Sequence, residues 1–235
     1  MIVRPARTKV FKEGEDLFSF ITHYFKTLPE KSVVVVTSKI VALAEGRTAV
    51  AVDAKAKEKL IKKESDFVLP TKYVQMTLKD GMAMPSAGID ESNARGKLIL
   101  LPKDSFKTAR WLRKKLQQKY DIKNLGVLVT DSRTMPLRSG VIGVAVGFAG
   151  FKGIKDYKGQ SDIFGRKFKF SSVNVADSLA TAAVLVMGEG KEQQPLALIA
   201  KAPIKFSKKV DRDKLKVVVK DDIYVPLFSK FSKFK

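Results

Sequence analysis

Ser32-Val33-Val34-Val35-Val36-Thr37-Ser38-Lys39 decides how this chain reads. A serine and an unbroken run of valines form the β-branched pattern of a strand buried on both faces, with no wet side. The run passes without a loop into Thr37-Ser38-Lys39, where either hydroxyl caps a short helix reaching Ala44, and Gly46 stops it. A strand that hands hydroxyls and a lysine to a helix start is a good place for an anion. It is not the G-x-x-x-x-G-K-[ST] phosphate loop, which occurs nowhere in the chain.

Outward from this stretch the pattern stays mixed. Residues 16–28 and 54–64 read as helices. Asp104-Ser105 caps a third, whose Phe106, Ala109, Leu112 and Leu116 share one face. Residues 126–130 form a second buried strand ending at Asp131. Residues 141–148 form a glycine-interrupted strand, residues 175–187 an alanine-rich helix that stops at Gly188-Glu189-Gly190, and residues 196–200 a strand. Residues 216–220 read as an edge strand. The elements do not alternate strictly as β-α-β-α, which argues for an α+β fold rather than a doubly wound sheet. The chain reads as one unit over residues 1–235, with Pro70 and the loop after it as the place where two intertwined subdomains would change over.

Composition removes several function classes. The chain has 235 residues and no cysteine, so disulfides and thiolate metal sites are excluded. The single histidine, His23, reads as solvated or structural, and a two-histidine mechanism is excluded. No apolar run approaches the length of a membrane helix; the longest uncharged stretch, residues 139–151, is short and glycine-rich. Arg4 and Arg7 are not followed by the apolar core of a secretory signal, so a cytoplasmic location is expected. The net charge of +21 suits a polyanionic partner. The lysines, however, are spread along the chain and alternate with acids, as in residues 53–59, which describes a solvated surface better than a nucleic-acid footprint. The one basic–aromatic run, residues 230–235, reads as a frayed tail.

Three acidic positions sit where regular elements give way to polar loops: Asp90, Asp131 and Glu189. Asp90 lies in Gly88-Ile89-Asp90-Glu91-Ser92-Asn93, just before the apolar Leu98-Ile99-Leu100-Leu101. Oxygen ligands in a loop beside a rigid strand suit a hard cation such as Mg²⁺; the plainer reading makes each acid a cap or turn residue. The glycines between Gly140 and Gly150 fit no dinucleotide fingerprint. They permit close approach of a ligand or, equally, a tightly packed core strand. Arg133 and Arg138 follow Asp131 in a polar loop and offer forks for carboxylate or phosphate.

Together these blocks resemble the coenzyme F420-0:L-glutamate ligase family, the deazaflavin γ-glutamyl ligases. The resemblance is carried in family order by Ser38-Lys39-Ile40-Val41 with Ala44-Glu45-Gly46-Arg47, by Ala87 to Asn93, and by Leu100-Leu101-Pro102-Lys103-Asp104. It continues through Thr130-Asp131-Ser132, Gly140 to Gly150, Asp156-Tyr157-Lys158-Gly159, Asp162-Ile163-Phe164-Gly165-Arg166 and Val186-Met187-Gly188-Glu189. It implies a two-lobed α+β fold of mixed sheet and helix that forms a homodimer, with the active site between the lobes. It also implies a nucleoside triphosphate, GTP or ATP, held with Mg²⁺ or Mn²⁺. Carried over by position, Asp90, Asp131, Ser132 and Glu189 match the metal ligands. Thr8, Lys9, Val10, Phe11, Ser38, Lys39, Asn93 and the loop of Met187, Gly188, Gly190, Lys191, Glu192, Gln193 and Gln194 match nucleotide contacts.

Two departures stand out. A lysine frequent in the family is Leu43 here, and the usual Gly-Arg pair after the metal aspartate is Thr134-Met135, with Arg133 new. The rewritten loop is similar to a branch linked to folate metabolism. The expected reaction is therefore addition of L-glutamate to a folate, or to F420-0, through an acyl phosphate, with Arg133 and Arg138 as candidates for the substrate carboxylates. The rival expectation is a non-catalytic basic RNA- or phosphate-binding protein on the same fold. The acids weigh against it, because carboxylates repel phosphate unless a cation intervenes.

Overall fold

A computed structural model describes residues 1–210, 212–224 and 226; the basic–aromatic run at residues 230–235 lies outside them. In chain order the elements are β1 (Ile2–Ala6), α1 (Leu17–Tyr24), β2 (Ser32–Thr37), α2 (Ser38–Ala44), β3 (Thr48–Ala49), α3 (Ala54–Lys63), β4 (Phe67–Pro70), β5 (Gln75–Lys79), β6 (Met82–Pro85), β7 (Leu98–Ile99), α4 (Ser105–Tyr120), β8 (Leu125–Thr134), β9 (Val141–Ala149), β10 (Ile154–Asp156), β11 (Ser172–Asn174), α5 (Val175–Met187) and β12 (Leu196–Ala200). The mixture is α+β, as the order of patterns predicts. The chain divides into two units. One is Met1–Gly46 with Pro102–Arg212; the other is Arg47–Leu101 with the described residues from Asp213 on. Pro70 closes β4 inside the second unit.

The first unit is built on a five-stranded sheet in the order β1-β12-β2-β8-β9. The valine run is β2, and β8 lies parallel to it from Ser32↔Leu125 to Thr37↔Thr130; the other neighbours are antiparallel. Val33 to Val36, Leu125 and Val127 to Val129 are all fully buried, which is why these strands read as continuous apolar runs rather than alternating ones. Helix α4 packs on β8 and β9, and α5 packs on β9, β1, β8 and β12. Asp104 caps α4 as expected, accepting from the Lys107 amide, and Asn174 caps α5 in the same way from the Asp177 amide.

The glycines of β9 belong to the packed-strand reading. Between Val129↔Gly147 and Thr130↔Ala145 the register slips by one residue, leaving Val146 as the extra residue of a β-bulge. The slip reverses the alternation, so Gly143 and Gly147 meet different helices. A Cβ on Gly143 would lie 2.4 Å from the Ala180 carbonyl oxygen of α5, and one on Gly147 would lie 2.4 Å from the Ser105 carbonyl carbon of α4. The bulge is tied to α5: the Ala145 amide donates to Asp177 Oδ1 at 2.8 Å, and Thr181 Oγ1 donates to the Gly143 carbonyl at 2.7 Å. Burial pushes the Asp177 carboxyl up, and the bonds from Ala145 and Asn174 offset only part of that.

The second unit contains the antiparallel meander β4-β5-β6, the short β3–β7 pair and helix α3. Glu64, just past α3, ties it together: its Oε2 takes Arg47 Nη2 at 2.6 Å and Lys79 Nζ at 2.8 Å. After β6 the chain makes a turn with Ser86, Ala87 and Gly88 all at positive φ (51°, 56° and 70°). The buried Thr77 hydroxyl holds this turn, donating to the Met84 carbonyl at 2.7 Å and accepting from the Ala87 amide at 2.9 Å.

Three expectations need correction. Helix α1 stops at Tyr24, not at residue 28: Phe25 is extended, its carbonyl accepts from the Tyr120 hydroxyl, and Pro29 disfavours helix in the residue before it. Strand β8 does not end at Asp131 but runs on to Thr134, held by pairing with β9 beyond the bulge. Residues 216–220 are not a strand; they join no sheet among the described residues, and Val219–Asp221 is a 3₁₀ turn.

Candidate functional site

The sheet topology of the first unit collects most of the candidate residues at one end. Because β2 and β8 are parallel, the carboxyl end of β2 at Thr37 lies beside Thr130, from which β8 runs on through Asp131. Strand β12 is antiparallel to β2, with Leu196 opposite Val36, so the loop from Gly188 to Pro195 enters at that same end. Strand β1 is antiparallel to β12, with Ala6 opposite Leu196, so Thr8 to Phe11 leave from there too. Backbone bonds tie the segments together: the Thr8 amide donates to the Gln193 carbonyl at 2.9 Å, and the Thr37 amide to the Pro195 carbonyl at 3.0 Å.

At this end β8 carries Asp131, Ser132 and Arg133 in succession. Ser38 Oγ donates to Asp131 Oδ1 at 2.9 Å, so the first residue of α2 does not cap its helix but reaches across to the neighbouring strand. Arg133 lies two residues beyond Asp131, on the same side of the strand. Its guanidinium pairs with Asp131 Oδ2 and donates from the same nitrogen to the Ser132 carbonyl at 2.8 Å. Ser132 is engaged separately, its hydroxyl hydrogen-bonding Glu189 Oε1. Glu189 is exposed just past the end of α5, where Gly188 at φ 81° turns the chain out of the helix.

The remaining residues of the first unit differ in how available they are. Lys9, exposed, is held by Glu15 Oε1 at 2.5 Å, and its amide donates to the Tyr24 hydroxyl at 2.7 Å. The Lys12 amide and the Lys9 ammonium keep the Glu15 carboxyl below its ordinary range. Beside Lys9 opens a cleft of about 330 Å³ lined by Glu15, Asp16, Ser19, Phe20, His23 and Tyr24. Phe11 and Met187 are buried, and the Phe11 ring stands edge-on to Phe20 at 4.8 Å. Val10, Gly190, Lys191, Glu192 and Gln193 are exposed and Gln194 is half-buried. Glu192 folds back over its own loop, accepting the Gly190 amide at 2.8 Å. Arg138 is exposed in the β8–β9 hairpin loop, whereas the Arg133 side chain is only 8% exposed. Sequence reasoning found neither Glu15 nor Tyr24, because a loop contact and a ring at the end of a helix leave no periodic signal.

Asp90 and Asn93 belong to the second unit. Asp90 pairs with Ile99 through reciprocal backbone bonds of 2.9 Å, and its carboxylate accepts the Ser92 amide at 2.7 Å and the Ser92 hydroxyl at 3.0 Å. Glu91 pairs with Lys57, and Asn93 is in the left-handed conformation at φ 54°.

Among the described residues no three His, Asp or Glu side chains gather in one place. What the first unit offers is carboxylate and hydroxyl: Asp131 with Ser38, and Glu189 with Ser132. Donors of this type fit Mg²⁺ or Mn²⁺, which take oxygen ligands and keep open positions for waters and substrate phosphates.

A mixed α+β chain that brings hydroxyls, carboxylates and lysines to one end of its sheet is equipped to handle anionic substrates together with a hard cation. The chain belongs to the F420-0:gamma-glutamyl ligase family, whose profile matches residues 5–201. A Methanopyrus kandleri protein named coenzyme F420:L-glutamate ligase is 32% identical over 219 residues, covering 83% of each chain. An Archaeoglobus fulgidus protein of the same name is 31% identical over 208 residues, 81% of this chain and 83% of the relative. A Methanococcus maripaludis relative, also so named, is 39% identical over 135 residues; there the match spans about half of its length, 54%, and 57% of this chain.

Proposed function

We propose that this chain joins L-glutamate through an amide bond to a carboxylate acceptor, using a nucleoside triphosphate, GTP or ATP. The observation that carries the proposal is the gathering of Thr8 to Phe11, Ser38, Asp131 to Ser132 and Gly188 to Gln194 at one end of the sheet. Amide formation from a carboxylate and an amine is uphill in water. The acceptor carboxylate is therefore activated first: its oxygen attacks the γ-phosphorus, the β–γ phosphoanhydride bond breaks, and an acyl phosphate forms with release of the nucleoside diphosphate. The glutamate amine then adds to the acyl carbon, loses a proton and expels inorganic phosphate. A bound Mg²⁺ or Mn²⁺ supplies neutralisation of phosphate charge.

Asp131, Ser132 and Glu189 would hold the cation on the first unit. Ser38 orients Asp131 through its 2.9 Å hydrogen bond. Lys9 and Lys39 offer charge to phosphates, the loop from Gly188 to Gln194 offers polar contacts to the nucleotide, and Phe11 and Met187, being buried, shape the floor of their loops. Arg138, open to solvent, is the fork for a substrate carboxylate.

The names of the relatives favour F420-0 as acceptor. The hairpin Thr134-Met135, next to these residues, favours a folate-type acceptor as the second reading. A homodimer is part of the proposal: on the first unit, Leu137, Ile142, Phe164, Phe170 and Leu185 are exposed apolar side chains, and light scattering reads the mass directly. To test the catalytic reading, Asp131→Asn and Glu189→Gln are compared with wild type for glutamate-dependent release of phosphate. Loss of turnover on the order of 10²-fold or more with an unchanged melting curve is expected; full activity in both variants contradicts the assignment.

A further inference from the structure

Asp131 already has a positive partner. The Arg133 guanidinium sits on one of its oxygens and is fixed by the Ser132 carbonyl at 2.8 Å, while Ser38 holds the other oxygen. The side chains of Arg133 and Asp131 are 8% and 23% exposed, so water screens the pair only partly. As a pair they carry no net charge. Of the carboxylates joined at this end of the sheet by Ser132 and Ser38, Glu189 then offers the negative charge that has no cationic partner among the described residues.

We infer that Arg133 is a built-in counter-charge to Asp131 that makes cation binding here depend on the nucleotide's phosphates; the inference rests on the reading of Asp131 as a cation ligand. A dication that approaches Asp131 alone meets a fixed guanidinium and one remaining carboxylate. Mg²⁺-type cations are usually held by one or two carboxylates together with waters and substrate phosphates. A triphosphate restores the missing negative charge and also gives the guanidinium a second anion to face. Arg133 thus selects the metal–nucleotide complex over the free metal ion. This differs from the role its sequence position suggested, contact with a substrate carboxylate. Removing it should strengthen binding of the bare cation. Even at the bulk-water limit of Coulomb's law, a unit charge roughly 6 Å from a dication changes its affinity by about tenfold.

The test titrates Mn²⁺ alone into the full chain without nucleotide, reading free Mn²⁺ by electron paramagnetic resonance. Wild type, Arg133→Gln, Arg133→Lys and the double variant Asp131→Asn/Arg133→Gln are compared, with thermal melts as the check on folding. Arg133→Gln is expected to bind Mn²⁺ about tenfold tighter than wild type. Arg133→Lys, which keeps the charge, should stay near wild type, and the double variant should lose the gain. Binding by Arg133→Gln that is equal to or weaker than wild type overturns the inference. If Asp131→Asn alone still abolishes Mn²⁺ binding in the presence of nucleotide, that failure leaves the ligand reading of Asp131 standing. A gain that survives in the double variant overturns both. Should Arg133→Gln not fold, wild type decides: a dissociation constant for Mn²⁺ alone tighter than about 10 µM, or about −7 kcal/mol, overturns the inference, and millimolar binding supports it.

Discussion

Replacing Thr77 by valine removes one hydroxyl and almost nothing else, yet it should loosen the segment that leads into Asp90. Thr77 is fully buried. Its hydroxyl accepts from the Ala87 amide and donates to the Met84 carbonyl, at 2.9 and 2.7 Å. Without it the buried Ala87 amide loses its acceptor, which costs about 1–3 kcal/mol, and the bond to Met84 adds about 1 kcal/mol. The turn so tethered is itself unfavourable: Ser86 and Ala87, neither of them glycine, sit at positive φ, at about 1–2 kcal/mol each. Tether and strain are of the same size, so the turn should relax once the tether is gone. Urea unfolding followed by circular dichroism should show Thr77→Val destabilised by about 2–4 kcal/mol, and Thr77→Ser, which keeps the hydroxyl, by about 1 kcal/mol. Hydrogen exchange at the Ala87 amide should accelerate in the valine variant alone. A valine variant within about 0.5 kcal/mol of wild type, or a serine variant equally damaged, refutes the reasoning.

Other consequences follow from the same contacts. Burial alone would raise the Glu64 carboxyl, but the hydrogen bonds and charges of Lys79 and Arg47 outweigh it, and its pKa is lowered. A carboxyl depressed in the folded state contributes stability above its unfolded pKa and loses it as pH falls through the folded value. Urea midpoints taken from about pH 6 down to pH 3 should therefore converge for wild type and Glu64→Gln, with wild type ahead only at the upper end. Gly147→Ala should cost about 1–3 kcal/mol or more, because its methyl would meet the Ser105 backbone at 2.4 Å; a melting temperature equal to wild type would show that α4 can move aside. Glu15→Gln should free Lys9 and weaken the hold on the Lys12 amide, loosening the loop after Thr8. Nucleotide titrations would then show a changed affinity if Lys9 faces phosphate, and none if it does not.

The parts of the fold that were legible in the sequence are those written in local chemistry. Val33 to Val36 announce a doubly buried strand, and Asp104 sits one residue before a helix whose apolar face repeats at helical spacing. The meander β4-β5-β6 was missed because its strands are short, carry lysine and proline, and gain stability from one another rather than from their own pattern. The extension of β8 through Asp131 was missed for a related reason. Polar residues in a row look like a loop, and only pairing with β9 beyond the bulge makes them a strand. The gathering of site segments was readable as a list of blocks but not as a place, since it depends on which strands are parallel. Arg133 shows the limit most clearly: a loop arginine beside an acid reads as an open fork, whereas strand alternation turns it back onto Asp131.

The measurement closest to the central claim is mass spectrometry of the purified chain incubated with L-glutamate, Mg²⁺ or Mn²⁺, GTP or ATP, and either F420-0 or a reduced folate. The proposal predicts an acceptor heavier by a glutamyl residue, formed only when nucleotide and cation are both present and absent with Asp131→Asn. If neither acceptor gains mass and no nucleotide is consumed, while the chain instead binds RNA with strong dependence on salt, the ligase account is contradicted.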